Sequence, residues 1–439
     1  MIFIKHRKKI IIFLSVCFLV LFFSYIRIIT AVPGKLTLLE GEEYKYEFKS
    51  PFLISVKADK EGVVKLNNSE MKNKSTYNKL ISPISFKSVK KGCVNLKMRM
   101  FGFIPVKTVE INVVANKMVA ACGNTVGVKI KINGILVIGM SDVEDINGNK
   151  SIPAKQCGIR PGDLIMRVNK VEMGNIGDLT SQMDKSNGKK IEITYKRGNE
   201  LNNVEVKPVM SVDDNKYHLG LWVRDSTAGI GTLTFYDPET KCFGALGHGI
   251  TDIDTGSLIT VQKGDILESN ILAIKRGKQG SPGELKGVFV EDSNRLGEIS
   301  NNCEYGIYGV LNGGTLDKIP NRMYPIALRT QVREGPATIL SNIEGNTVGE
   351  YSIEIQKVSR QRLNSAKGMV IKVTDKKLLD LSGGIVQGMS GSPIIQDGRI
   401  IGAVTHVLVN DPTRGYGIFI EKMMQNLTAR KSFELEKAG

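Results

Sequence analysis

Apolar and polar positions divide the chain into stretches of different character. Ile10 to Ile26 is an almost unbroken apolar run behind the basic cluster Lys5-His6-Arg7-Lys8-Lys9. It lies at the short end of a membrane span, and Ile28–Val32 lengthens it past Arg27, whose stem can snorkel. Basic residues ahead of an apolar span predict a cytoplasmic N-terminus and an exported remainder. An uncleaved anchor over residues 1–34 is expected, with a signal peptide cleaved near Ile29-Thr30-Ala31 as the rival. From 35 to 115 the pattern changes to short apolar or alternating runs, the period of half-buried strands. Leu36–Leu39, Tyr44–Phe48, Leu53–Val56 and Val109–Val114 are the clearest, with turn residues such as Asp59-Lys60-Glu61-Gly62 between them. A small β domain follows from this, with an exposed loop from about Asn67 to Asn78 and no visible chemistry.

Residues 116–208 mix periods. Thr125–Ile130 and Gly134–Gly139 read as strands. The turn Gly158-Ile159-Arg160-Pro161-Gly162-Asp163-Leu164-Ile165 comes next, then an amphipathic stretch over Ile176–Met183 and a final strand, Ile191–Arg197. Residues 209–439 return to short strands separated by glycine turns, the pattern of a β barrel or a pair of barrels. Phe243–Leu246, Tyr305–Val310, Ala337–Leu340, Ser352–Ile355, Met369–Val373 and Ala403–Val407 are examples, and Ile418–Leu427 reads as a closing helix.

Composition narrows the function. Over 439 residues, 60 Lys+Arg against 44 Asp+Glu leave a formal charge of +16. That balance favours anionic partners. The basic residues are scattered without aromatic interleaving, so a membrane surface fits better than nucleic acid, which is not expected as a partner. The 6 cysteines, Cys17, Cys93, Cys122, Cys157, Cys242 and Cys303, are far apart and form no C-x-x-C pair. With only 4 histidines, no metal site and no cofactor are expected.

Candidate chemistry centres on Gly388-Met389-Ser390-Gly391-Ser392-Pro393, followed by the hairpin Ile394–Gly402 with its Asp397-Gly398 turn. A serine between glycines can stand on a tight turn whose N–H groups face an incoming carbonyl oxygen. Similar turns also occur in β proteins that cleave nothing. A serine hydroxyl needs a base to become a nucleophile, and imidazole titrates in the useful range. His248, between Gly247 and Gly249, is the candidate base. His218 is expected to be structural or exposed, and His406, on an apolar strand, a satisfied core residue. For the carboxylate behind the histidine, Asp375, Asp252 and Asp254 all remain open.

Residues 116–208 resemble a PDZ domain. The resemblance implies that an extended peptide, from a substrate or from this same chain, adds to a sheet edge, and that Val126-Gly127-Val128 form the carboxylate-binding loop. Gly247-His248-Gly249, Gly388–Pro393, Ala403–Val407 and the PDZ-like region behind a single anchor resemble together the stage IV sporulation protein B family of serine peptidases. This implies a mainly β chain: a membrane anchor, a small β domain (35–115), a PDZ-like domain (116–208) and a chymotrypsin-like double β-barrel peptidase domain (209–439). It also implies a triad of His248, Asp375 and Ser390, with the Gly388 and Ser390 N–H groups as the oxyanion hole. In most chymotrypsin-like enzymes the aspartate belongs to the histidine's barrel, and Asp375 departs from that by coming late. The family's role implies secretion into the space between the two forespore membranes and self-cleavage in the N-terminal half. There it cuts the extracytoplasmic part of a membrane-bound regulator, which releases an intramembrane protease that activates a mother-cell sigma factor. A non-enzymatic PDZ adaptor or envelope scaffold is the alternative.

Overall fold

The structure is a computed structural model. It describes residues 14–427 apart from 17–18, 20–21, 24, 28, 31, 33, 47–53, 71–83, 290–294, 315–321 and 360–365. The basic cluster at 5–9, the start of the apolar run and most of the expected 67–78 loop lie outside the described residues. Two compact units emerge, Met1–Lys117 and Met118–Gly439.

In the first unit, one sheet runs in the order Lys35–Leu39, Ile104–Val114, Gly92–Met100, Ile54–Ala58. A second takes the order Glu43–Tyr46, Ile84–Ser88, Val64–Leu66, Ser69–Glu70. Alternation drives both. In Gly92–Met100, Val94, Leu96, Met98 and Met100 turn inward while Cys93, Lys97 and Arg99 face water. The inward residues of both sheets share one apolar cluster with Tyr25 and Ile29. Those two come from a helical stretch that exposes Leu14, Val16, Leu19, Phe22 and Phe23. Tyr25 Oη donates to the Pro105 carbonyl at 2.9 Å. Among the described residues, no helix is long and apolar enough to cross a membrane.

The second unit is built around two rings of strands. Gly335–Glu344, Thr347–Val358, Met369–Val373, Asp411–Phe419, Arg399–Leu408 and Pro393–Gln396 close into a barrel in that order. Ile339, Ile353, Ile371, Ile394 and Val404 are among the residues of its core. The other ring runs Thr125–Met140, Val261–Lys275, Arg295–Cys303, Gly306–Leu311, Cys242–Ala245 and Leu221–Asp237. It returns to its start because Leu221–Asp237 pairs again with Thr125–Met140. Val126, Val128, Ile130, Leu233, Phe243 and Ile266 belong to its core.

The PDZ-like part is not separated from this ring. A register shift between Lys131 and Leu136 lets Thr125–Met140 leave the ring and pair with Leu164–Val168. Leu221–Asp237 likewise begins beside Leu136–Met140 and ends in the ring. A break at 208/209 therefore cuts through a shared structure. The helix Ile176–Ser186 is set by a capping box, with Asn175 accepting from the Asp178 N–H and Asp178 accepting from the Asn175 N–H. Asp163 of the Pro-Gly-Asp turn is buried and accepts two 2.7 Å bonds from Arg197. A bidentate guanidinium satisfies a carboxylate that burial would otherwise penalise.

Candidate active site

His248 and Ser390 arrive from different rings and line one pocket of about 840 Å³ with Gly388, Thr405 and His406. His248 follows the end of Cys242–Ala245. Its flanking glycines answer close packing. A Cβ on Gly247 would lie 3.0 Å from Ile418 Cγ2 and Thr405 Cγ2, and one on Gly249 would lie 2.8 Å from the Cys303 carbonyl oxygen. The His248 Nδ1–H donates to the Gly249 carbonyl at 2.8 Å, since a carbonyl only accepts. Nε2 is thereby left with the lone pair. Burial depresses the His248 pKa, and the Gly249 carbonyl opposes part of that shift.

Ser390 sits on a turn whose Gly388 and Gly391 have φ of +100° and +99°. In it, the N–H groups of Gln387, Met389, Gly391 and Ser392 donate to Gly283, Val386, Val404 and Met389 carbonyls. The Gly388 and Ser390 N–H groups have no acceptor among the described residues. Unpartnered, adjacent donors of this kind suit an oxyanion. The Ser390 Oγ itself donates to the Thr405 carbonyl at 2.6 Å and not to His248.

The carboxylates are engaged elsewhere. Asp375 caps the helix Lys376–Ser382, accepting from Leu378 N–H at 3.0 Å and from Ser352 N–H at 3.4 Å. Asp252 is fully buried and bound by Arg224, by the Thr255 N–H at 2.9 Å and by the Thr255 hydroxyl at 3.0 Å. Burial alone would raise its pKa, but the Thr255 hydrogen bonds and Arg224 outweigh it and hold the carboxyl below its ordinary range. Asp254 pairs with Arg224 at 3.0 Å. None of the three meets His248 in this arrangement, and a backbone carbonyl occupies the orienting position expected of Asp375.

His406 is not the satisfied core residue expected from its apolar strand. Its strand shifts register between Val404 and Val407, which turns the ring outward into the pocket. The His248 and His406 rings lie 4.7 Å apart, tilted by 36°. Desolvation first, then the nearby His248 and Lys367, push the His406 pKa down to about 4. His218 is half exposed and bonded to Asp214 at 2.9 Å. Among the described residues no cluster of three or more His, Cys, Asp or Glu side chains could hold a metal ion.

Val126, Gly127 and Val128 lie mid-strand, not in a loop. Gly127 is paired with Ile230 on one side and Leu267 on the other. Their N–H groups belong to the ring, and Val126 and Val128 are buried in its core. A carboxylate loop needs free N–H groups, so this segment does not supply one. The available edge is elsewhere. Leu221–Arg224 pairs with Leu136–Met140 on one side and has no strand partner on the other among the described residues. The helix Ile176–Ser186 contacts this strand, and Asp225 accepts from its Ile176 N–H at 3.0 Å. Leu219-Gly220-Leu221, an apolar-Gly-apolar run opening a strand, was the signal in the sequence.

Residues 215–424 match the family model of the SpoIVB peptidase S55, and residues 126–207 match that of the PDZ domain. Residues 215–424 belong to the SpoIVB peptidase S55 family. Several solved structures are also similar to parts of this S55 peptidase. The PDZ domain of an SdrC-like protein from Listeria monocytogenes is 19% identical over 21% of this chain and 90% of its own, with a TM-score of 0.18. The Rv3671c protease of M. tuberculosis, in an inactive form, is 13% identical over 46% of this chain and 83% of its own, with a TM-score of 0.25. The HtrA-type protease AlgW, solved with a decapeptide, is 10% identical over 47% of this chain and 54% of its own, with a TM-score of 0.26. Likeness at this level says nothing about function.

Proposed function

We propose that this S55 peptidase is a self-cleaving sporulation signalling endopeptidase with a chymotrypsin-like pair of barrels. Its substrate is the extracytoplasmic part of a membrane-bound regulator, and the cut starts the intramembrane proteolysis that activates a mother-cell sigma factor. The observation that carries the reading is the meeting of Ser390, His248 and two unpartnered backbone donors in one pocket. Ser390 Oγ attacks the scissile carbonyl while His248 Nε2 takes its proton. The Gly388 and Ser390 N–H groups receive the oxyanion, and His248 passes the proton to the leaving amine before water repeats the cycle. The Gly249 bond keeps Nε2 as the basic nitrogen, and the lowered pKa keeps the ring neutral near pH 7.

At rest the serine hydroxyl is held by Thr405, so attack begins with its rotation toward His248. Asp375 joins the pair only by leaving its cap. Asparagine caps a helix as aspartate does, so Asp375→Asn separates the two roles. Lost cleavage at unchanged stability would assign the carboxylate to a triad, and retained cleavage would leave it as a cap. Peptide adds at the open edge of Leu221–Arg224, beside Ile176–Ser186. The apolar segment behind basic residues supports work outside the cytoplasm, in the space between the forespore membranes.

A fluorophosphonate probe tests the reading. It should label the wild-type chain and spare Ser390→Ala. Equal labelling of both would remove Ser390 as nucleophile, and labelling of neither would favour the adaptor.

A further inference from the structure

Thr232 stands in the strand Leu221–Asp237, fully buried, and reaches across to the serine turn of the other ring. Its hydroxyl donates to the Gly388 carbonyl at 2.7 Å, and its N–H donates to the Ser390 carbonyl at 2.9 Å. Its own carbonyl accepts from the Leu246 N–H at 3.2 Å, two residues before His248. One residue therefore ties both halves of the site together.

We propose that Thr232 is a positioning residue that aims the oxyanion donors, an inference that rests on the serine peptidase reading above. The turn has four successive carbonyls, and each is held. Gln387 accepts from Leu285 N–H, Gly388 from the Thr232 hydroxyl, Met389 from Ser392 N–H and Ser390 from Thr232 N–H. Gly388, with φ of +100°, has no Cβ to resist rotation of its flanking peptide planes. The threonine hydroxyl holds the carbonyl end of the plane between Gly388 and Met389, whose other end is held by the Met389 N–H bond to the Val386 carbonyl at 3.1 Å. If that plane turns, the Gly388 N–H next to it loses its aim, while the Ser390 Oγ and His248 are left in place. The hydroxyl acts through the turn and touches no reacting atom.

The test uses the full chain as wild type, Thr232→Val, Thr232→Ser and Ser390→Ala. Each is assayed for cleavage of a substrate peptide and for binding of a peptide boronate, which forms a tetrahedral adduct on a reactive serine. Deleting an oxyanion donor outright costs about 100- to 1000-fold in kcat, so misaiming one by Thr232→Val should cost roughly 10- to 100-fold. KM should stay within about twofold, and boronate affinity should fall in step with kcat. Thr232→Ser keeps the hydroxyl and should restore most of the rate. A merely structural threonine would lower the melting temperature of Thr232→Val while leaving kcat, KM and boronate affinity of the folded protein unchanged, and that result overturns the proposal. If valine prevents folding, Thr232→Ala against Thr232→Ser repeats the comparison. Wild type that fails to react with a fluorophosphonate removes the serine reading and this inference together. Wild type that reacts, with Thr232→Val and Thr232→Ala equal to it, removes the inference alone.

Discussion

Alanine at Gly391 and at Gly398 should separate backbone strain from steric conflict at the serine turn. Both glycines have left-handed φ, +99° and +72°. Around Gly398, in the hairpin after the serine, a Cβ would meet nothing within 4 Å. At Gly391 it would lie 2.1 Å from the Thr232 carbonyl oxygen and 2.6 Å from the Leu246 nitrogen. Those atoms are backbone and cannot swing aside. Moving them would disturb the Thr232 N–H bond to Ser390 and the Leu246 segment leading into His248. Each alanine incurs about 1–2 kcal/mol for the left-handed conformation. Only Gly391→Ala adds overlap in a packed interior, typically about 1–3 kcal/mol. The expectation is therefore about 2–5 kcal/mol for Gly391→Ala and about 1–2 kcal/mol for Gly398→Ala. Urea unfolding of the full chain measures both, and fluorophosphonate labelling of the folded fraction reports the site. Gly398→Ala should label as wild type, and Gly391→Ala should label slowly. Equal destabilisation by the two alanines would refute the packing argument.

Other consequences are equally direct. Because burial lowers the His248 pKa below the ordinary 6.5, the basic form survives mild acid, and the acid limb of kcat/KM should fall below pH 6.5; a limb above that value would contradict the geometry. His406 is depressed to about 4, so between pH 6.5 and 4 the unfolded chain binds more protons and stability should fall as pH falls through that window. His406→Gln should flatten the dependence in urea titrations. Asp375→Ala should cost about 1 kcal/mol by losing the helix cap, with Asp375→Asn close to wild type in stability. Deleting 116–208 removes the strand that closes one ring, so it should yield an unfolded peptidase region by circular dichroism and not a faster enzyme.

What was legible in the chain was local. Apolar or alternating runs located part of the first unit, Lys35–Leu39 and Ile104–Val114 among them, but passed over Gly92–Met100, and the Asp397-Gly398 turn adopts the left-handed pair of angles that such a hairpin needs. The glycine-bracketed His248 and Ser390 reached one pocket because the first sits in a turn leaving the strand Cys242–Ala245 and the second in a turn leading into the strand Pro393–Gln396. What failed depended on register. Gly134, with φ of +110°, lies inside the shift that moves Thr125–Met140 from one set of partners to another, but a glycine does not say which partners follow, and it was the PDZ resemblance that put a carboxylate loop at Val126–Val128. A similar irregularity between Val404 and Val407 reversed the direction of His406. Asp375 carried its own warning, since an aspartate just before Lys376-Lys377-Leu378-Leu379 is also an N-cap signal.

The shared strands change what the PDZ part can do. Leu221–Asp237 carries the open strand edge proposed for peptide at one end and Thr232 farther along. At about 3.3 Å per residue, the run from Arg224 to Thr232 spans roughly 26 Å of continuous backbone. Over its middle this backbone is hydrogen-bonded to Thr125–Lys131, so the two ends are joined by paired strand and not by a linker. A peptide that orders the first end shifts the second only if it binds better to one arrangement of the serine turn. Coupling of that kind is reciprocal. A saturating peptide should change boronate affinity by some factor, and saturating boronate should change peptide affinity by the same factor. Thr232→Val should weaken both effects together. Independent binding in wild type would reduce the strand to scaffold and return control of cleavage to the Ser390–Thr405 hydrogen bond.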